Sequence, residues 1–186
     1  MSRSIAIAWL ALLLSAGGVQ AGEPVGHPAP PLELRIWLNS PPLDMSALKG
    51  KVVLLRWWTD GCPLCAATAP ALRKLAAQYG NRGFTVIGVY HPKPPGDWNV
   101  ARVRHAAAKL GFHFPVAIDG DWSALKRWWL TDDRDYTSVS FLVDKRGVIR
   151  YVQPGGEWHE GGGAGHEACR RDYREIDAMI AKLVSE

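Results

Sequence analysis

A chain of 186 residues with 47% hydrophobic side chains is long enough for one domain with a sizeable core. Its 22 Lys and Arg are scattered among 18 Asp and Glu, for a formal charge of +4; no basic stripe forms, which excludes a nucleic-acid partner as the organising feature. Three cysteines are an odd number, so one stands apart if two pair.

Met1-Ser2-Arg3 makes a charged start, and Ile5 to Leu14 an apolar run too short to span a bilayer comfortably. Small residues follow, ending Val19-Gln20-Ala21, an A-x-A-like cleavage site. The expectation is a signal peptide over residues 1–21 and one folded domain over residues 22–186, with an uncleaved anchor as the alternative. No Cys lies near the cleavage site, which argues against a lipid anchor. Export implies a periplasmic or otherwise extracytoplasmic, oxidising location. A dithiol persists there only if a membrane or periplasmic electron donor keeps reducing it.

Glu23 to Pro31 is rich in Pro and Gly and reads as an extended lead-in. Leu32 to Trp37 alternates apolar and polar, which predicts a half-buried strand. Asn39 to Gly50 is a polar turn region with Leu43, Met45 and Leu48 to tuck inward. Lys51 to Trp58 is nearly all apolar, as in a strand covered on both faces, and Arg56 is the odd member.

The strand runs into Cys62-Pro63-Leu64-Cys65, followed by the helix-like run Ala66 to Tyr79. Both thiols then sit at the mouth of a helix, where unpaired N–H groups and the macrodipole favour thiolate, the attacking form of cysteine. Cys62 is the predicted nucleophile. A spacing of three residues, about one helical turn, lets Cys65 close a small, reducible disulfide with it. Pro63 at a helix start loses no needed hydrogen bond. A zinc half-site or a plain structural bridge is the competing reading of C-x-x-C; against zinc, Cys169, the remaining cysteine, has no C-x-x-C partner.

Gly80-Asn81 stops the helix, and Phe84 to Tyr90 is a second buried strand. Its loop begins at His91, at the sheet edge where such folds keep their chemistry, so His91 could approach Cys62 or be a plain loop histidine. Trp98 to Leu110 is helical, Phe114 to Ile118 a short strand and Trp122 to Leu130 a short helix. This alternation predicts an α/β fold with parallel strands and crossover helices. Ser138 to Val143 and Val148 to Gln153, joined at Gly147, read as a hairpin. Pro154 to Gly165 holds six glycines and reads as a loop, and Cys169 to Val184 returns to helical spacing.

With these residues in order, the chain resembles the thioredoxin superfamily, and more closely its exported TlpA/ResA-like, redoxin (AhpC-TSA-type) branch. The resemblance covers roughly Pro28 to Leu183 and rests on Asp44 to Leu55 as lead-in, the C-x-x-C, Phe114-Pro115-Val116, and Phe141-Leu142-Val143-Asp144 with Gly147. It implies a thioredoxin-like fold, a central mixed sheet flanked by helices, with thiol–disulfide exchange as the activity and a protein disulfide as the partner. It also places Trp58 near the thiols.

Three departures stand out. Gly61 takes the place of the aromatic residue that family members carry before the first cysteine. Arg56 falls where thioredoxins bury an acid; it could point at the thiols and stabilise thiolate, or snorkel to solvent. Ser138 occupies the position of the family's cis-proline, and a cis bond before a non-proline residue costs about 3 kcal/mol, so a trans bond is expected. Ser138 brings a hydroxyl that could bond the Cys62 thiolate, or it could merely begin a strand. Arg56, Trp58, Pro63 and Ser138 are thus the candidate substrate-binding or tuning residues.

The function these readings converge on is an exported thiol–disulfide oxidoreductase. A peroxiredoxin-like thiol peroxidase and a Sco-like copper-binding module using Cys62, Cys65 and a histidine are the alternatives. No organic cofactor is implied by any stretch. Copper or zinc is a secondary possibility, with His91, His159, His166 and Cys169 as candidate ligands and Glu157 and Asp172 nearby.

Overall fold

The computed structural model describes residues 24–131 and 133–186; the expected signal peptide, residues 1–21, lies outside the described residues. Six strands form one mixed sheet in the order β1-β4-β3-β2-β5-β6. β2 (Val52–Trp58), β3 (Phe84–Tyr90) and β4 (Val116–Ile118) are mutually parallel. β1 (Trp37–Leu38) runs antiparallel to β4, β5 (Ser140–Val143) antiparallel to β2, and β6 (Ile149–Gln153) antiparallel to β5. Helices α1 (Pro63–Tyr79), α2 (Val100–Lys109) and α3 (Ser123–Trp128) make the crossovers, and α4 (Glu167–Ser185) closes the chain.

All seven residues of β2 are buried, because both faces of the sheet are covered. Side chains alternate across a strand, so Leu54 and Trp58 enter one core with Leu72 and Leu75 of α1 and Ile176 and Ile180 of α4. Leu55 and Trp57 enter the other, with Ile87, Leu125, Trp128 and Phe141. By the same alternation Arg56 lies on the α1 and α4 side. Among the described residues no helix is long and apolar enough to cross a membrane.

The structure corrects the strand expected over Leu32 to Trp37. Leu32 and Leu34 are buried, but Glu33 between them has φ 53°, and only Trp37 and Leu38 pair with β4. Alternation there reports two leucines docked onto the second core, without a hydrogen-bonded ladder. Helix α2 begins at Val100 rather than Trp98, because the Asn99 side chain caps it by accepting the Arg102 N–H at 2.9 Å. Trp98 packs at the edge of the first core instead.

Candidate redox site

Strand β2 delivers the chain to its C-terminal edge, and Thr59-Asp60-Gly61 turns it into α1. Gly61 has φ 72°, a left-handed conformation that a side chain would strain. Cys62 is therefore set as the N-cap residue of α1, with Pro63 at the first helical position. Its Sγ accepts the Cys65 N–H at 3.4 Å. Asp60 fastens the turn: Tyr90 Oη donates to its Oδ1 at 2.8 Å and Arg102 Nε to its Oδ2 at 2.7 Å.

The two thiols have different surroundings. Cys62 is half-buried and opens on a groove of about 660 Å³ between α1 and α2, lined by Pro63, Pro70, Arg102, His105 and Leu110 among others. Cys65 is 2% exposed, in the apolar cluster that also holds Trp58. Burial by itself would push the Cys62 thiol up. Hydrogen bonds from the Cys65 thiol and from the N–H groups of Cys65 and Leu64, with the charge of Arg56, outweigh it, so Cys62 lies below the ordinary thiol range. For Cys65 burial wins over Arg56 and Ser138, and its thiol is pushed up.

Arg56 resolves the choice between snorkelling and pointing inward. It is 1% exposed, so its guanidinium does not reach solvent. Nη1 donates to the Ser138 carbonyl at 2.8 Å, Ser140 Oγ at 3.1 Å and Gln153 Oε1 at 3.3 Å, and Nη2 to the Gly156 carbonyl at 2.7 Å. None of these partners is a carboxylate. Burial lowers the guanidinium's own pKa, and the neighbouring Cys65 and Cys62 push it back up.

Ser138 also departs from expectation. Its hydroxyl lies 3.4 Å from the Sγ of Cys65, not of Cys62, and β5 begins two residues later, at Ser140. The reason is register: β5 runs antiparallel beside β2 with Arg56 opposite Ser140, and Ser138, two residues before this pair, meets the buried thiol. The peptide bond before Ser138 is trans; the cis peptide among the described residues is Lys93–Pro94.

His91 does not join the thiols. It continues the alternation of β3 onto the α3 side of the sheet, is fully buried, and packs its ring edge-on against Trp122 at 5.4 Å. His159, His166 and Cys169 do come together, with Glu157, their ligand atoms all within 4.8 Å of one another. Cys62, Cys65 and a histidine form no such group among the described residues, and Asp172 instead accepts from Gln153 Nε2 at 3.4 Å.

Sequence reasoning passed over Asp60, Ser140 and Trp158. Trp158 is fully buried, donates Nε1–H to Ser140 Oγ at 3.1 Å and its N–H to Thr68 Oγ1 at 3.2 Å. A large aromatic side chain in a glycine loop was the available signal: such a residue rarely orders a loop unless it is buried.

Residues 24–163 match the Redoxin family model. The chain belongs to the Redoxin family. Among curated relatives of this redoxin, Protein DipZ of Mycobacterium bovis is 31% identical over 153 residues, which are 81% of this chain but 19% of that protein. Thiol-disulfide oxidoreductase YkuV of Bacillus subtilis is 25% identical over 66% of this chain and 79% of its own length. The chain thus spans about a fifth of the DipZ protein and most of YkuV. The solution structure of a putative protein disulfide isomerase from Bacteroides thetaiotaomicron superposes with a TM-score of 0.70 at 20% identity, over 87% of this chain and 91% of that one. The redoxin fold here is thioredoxin-like, a mixed sheet with flanking helices, as the sequence resemblance implied.

Proposed function

We propose that this redoxin is an exported thiol–disulfide oxidoreductase that exchanges protein disulfides through Cys62 and Cys65. The observation that carries the reading is the asymmetry of the two thiols. Cys62 is accessible, caps a helix and is held below the ordinary thiol range, whereas Cys65 is buried and held above it. A nucleophile needs the first environment and a resolving thiol tolerates the second. Kinship with YkuV, named a thiol–disulfide oxidoreductase, agrees with it.

The Cys62 thiolate attacks one sulfur of a substrate disulfide; the S–S bond breaks and the other substrate sulfur leaves as a thiolate that takes up a proton. Cys65 then gives up its proton and attacks the Cys62 sulfur, releasing the second substrate sulfur, which is protonated in turn. The substrate has gained two electrons and two protons, and Cys62 and Cys65 are joined. A dithiol donor of the membrane or periplasm restores the pair by the reverse chemistry. The groove beside Cys62 is the approach for the substrate segment.

The test is trapping. Cys65→Ser is expected to accumulate mixed disulfides with substrate proteins, and Cys62→Ser to form none; trapping by Cys62→Ser instead would reverse the roles. Export rests on the pattern of residues 1–21. The exported chain is expected to begin at Gly22, which the intact mass of the secreted protein reads directly, and a mass that retains Met1 would mean an anchor.

A further inference from the structure

We propose that Glu157, His159, His166 and Cys169 form a four-ligand zinc(II) site, separate from the dithiol. The donors are one carboxylate oxygen, two imidazole nitrogens and one sulfur, all within 4.8 Å of one another. Bonds of 2.0–2.3 Å in a tetrahedron put donor atoms about 3.3–3.7 Å apart. Glu157 Oε1 is already 3.5 Å from His166 Nδ1 and 3.9 Å from Cys169 Sγ, and Glu157 Oε2 is 3.9 Å from His159 Nε2. Closing the site therefore asks the widest separation to shorten by about 1 Å.

Two further observations point to a ligand. His159 Nδ1 lies 3.0 Å from the Gly161 carbonyl, which can only accept, so Nδ1 is the nitrogen that donates there and Nε2 is the one turned toward Glu157. Metal-bound histidines are commonly oriented by such an outer hydrogen bond. The Nδ1 of His166 is buried and makes no hydrogen bond among the described residues, with Glu157 Oε1 3.5 Å away. An ion supplies the partner that this nitrogen lacks.

The surroundings hold the four donors in place. The His159 N–H donates to the Cys169 carbonyl at 3.3 Å, tying the loop to the first turn of α4. Arg170 Nη1 donates to the carbonyls of Gly162 and Gly163. Gly162 has φ 90°, and a Cβ on it would stand 2.6 Å from His166 Cγ, so glycine is what lets the His166 ring lie there.

Charge and donor type select the ion. A thiolate and a carboxylate give two negative charges to match a dication, and a mixed O, N and S set at similar separations suits zinc. Four protein donors leave no open position, so the site is structural. Its anchor points are adjacent to Gly156 and Trp158, which hold Arg56 and Ser140 of the redox site.

The experiment uses the mature chain with Cys62 and Cys65 oxidised to their disulfide and Cys169 reduced, so that Cys169 is the one thiol present. Cobalt(II) serves as the spectroscopic probe. One equivalent is expected to bind with tetrahedral d–d bands and a sulfur-to-cobalt charge-transfer band, and one equivalent of zinc(II) to displace it. Cys169→Ser is expected to abolish the charge-transfer band, and Cys169→Ser, His159→Ala and His166→Ala each to weaken zinc by at least about 100-fold. Melting provides the folding control: zinc raises the Tm of the wild type and not that of a variant whose metal-free Tm is unchanged. Absence of a charge-transfer band in the wild type, or equal zinc affinity in wild type and the folded variants, overturns the proposal. None of these readouts depends on disulfide exchange.

Discussion

Arg56 donates Nη1–H to the Ser138 carbonyl at 2.8 Å, and the Ser138 hydroxyl lies 3.4 Å from Cys65 Sγ, so a buried cation and a buried thiol share one neighbour. Arg56 has four neutral acceptors and no carboxylate among its described hydrogen-bond partners. An ionised thiol is then the anion that compensates it, and the charge of Arg56 draws both thiols down, although burial still leaves Cys65 above its ordinary value. Stabilising thiolate stabilises the reduced state, which makes a couple more oxidising.

Arg56→Gln is therefore expected to raise the pH at which both thiols titrate and to make the Cys62–Cys65 couple more reducing. Thiolate absorbance against pH and equilibration with glutathione measure the two effects. Coincident titration curves for the two proteins would sink the electrostatic role. Arg56→Met is expected to destabilise the fold by about 3 kcal/mol, since each buried acceptor left without a donor costs about 1–3 kcal/mol and relief of the buried charge offsets part of the sum. Urea unfolding reads that loss.

Ser138→Ala separates the two steps of exchange. The hydroxyl contacts Cys65 and lowers it against the burial that raises it. Its loss is expected to slow resolution by Cys65, so that the mixed disulfide lives longer, while the first attack by Cys62 keeps its rate. Rapid acid quenching at successive times follows both species. A slower first step with unchanged resolution would place the hydroxyl's effect at Cys62 instead.

The parts of this architecture that can be read from the chain are those where one local pattern has one structural meaning. Seven consecutive buried residues before a C-x-x-C and a helix have one such meaning, as does the spacing of Tyr173, Ile176, Ile180 and Leu183 in α4. Leu32 to Trp37 shows the limit: alternation reports which side chains are buried, and a left-handed Glu33 achieves that without a ladder. Contacts of Arg56 and Ser138 were open because they depend on how β5 and β6 register beside β2, between segments some 80 to 100 residues apart. The association of His159, His166 and Cys169 was legible as proximity in sequence. Its shape was not, because it needs the fold of a six-glycine loop against α4.

His91 makes stability depend on acid. It is 0% exposed, neither ring nitrogen has a hydrogen-bond partner among the described residues, and burial, with the charge of Lys93, lowers its pKa to about 4 from 6.5. Between these values the unfolded chain takes up a proton that the folded chain refuses, so stability falls as pH drops from about 6.5 to about 4. The full loss is about 3 kcal/mol. Asp119, whose carboxyl burial raises, works in the opposite direction, and it does so in any variant that leaves it in place. The difference between wild type and His91→Leu therefore isolates the histidine. His91→Leu is expected to be neutral or stabilising at pH 7, where it removes two unsatisfied nitrogens, and to lose the part of the pH slope between about 6.5 and about 4 that His91 supplies. Urea unfolding at half-unit steps of pH measures both chains; parallel stability curves would mean that His91 accepts its proton in place.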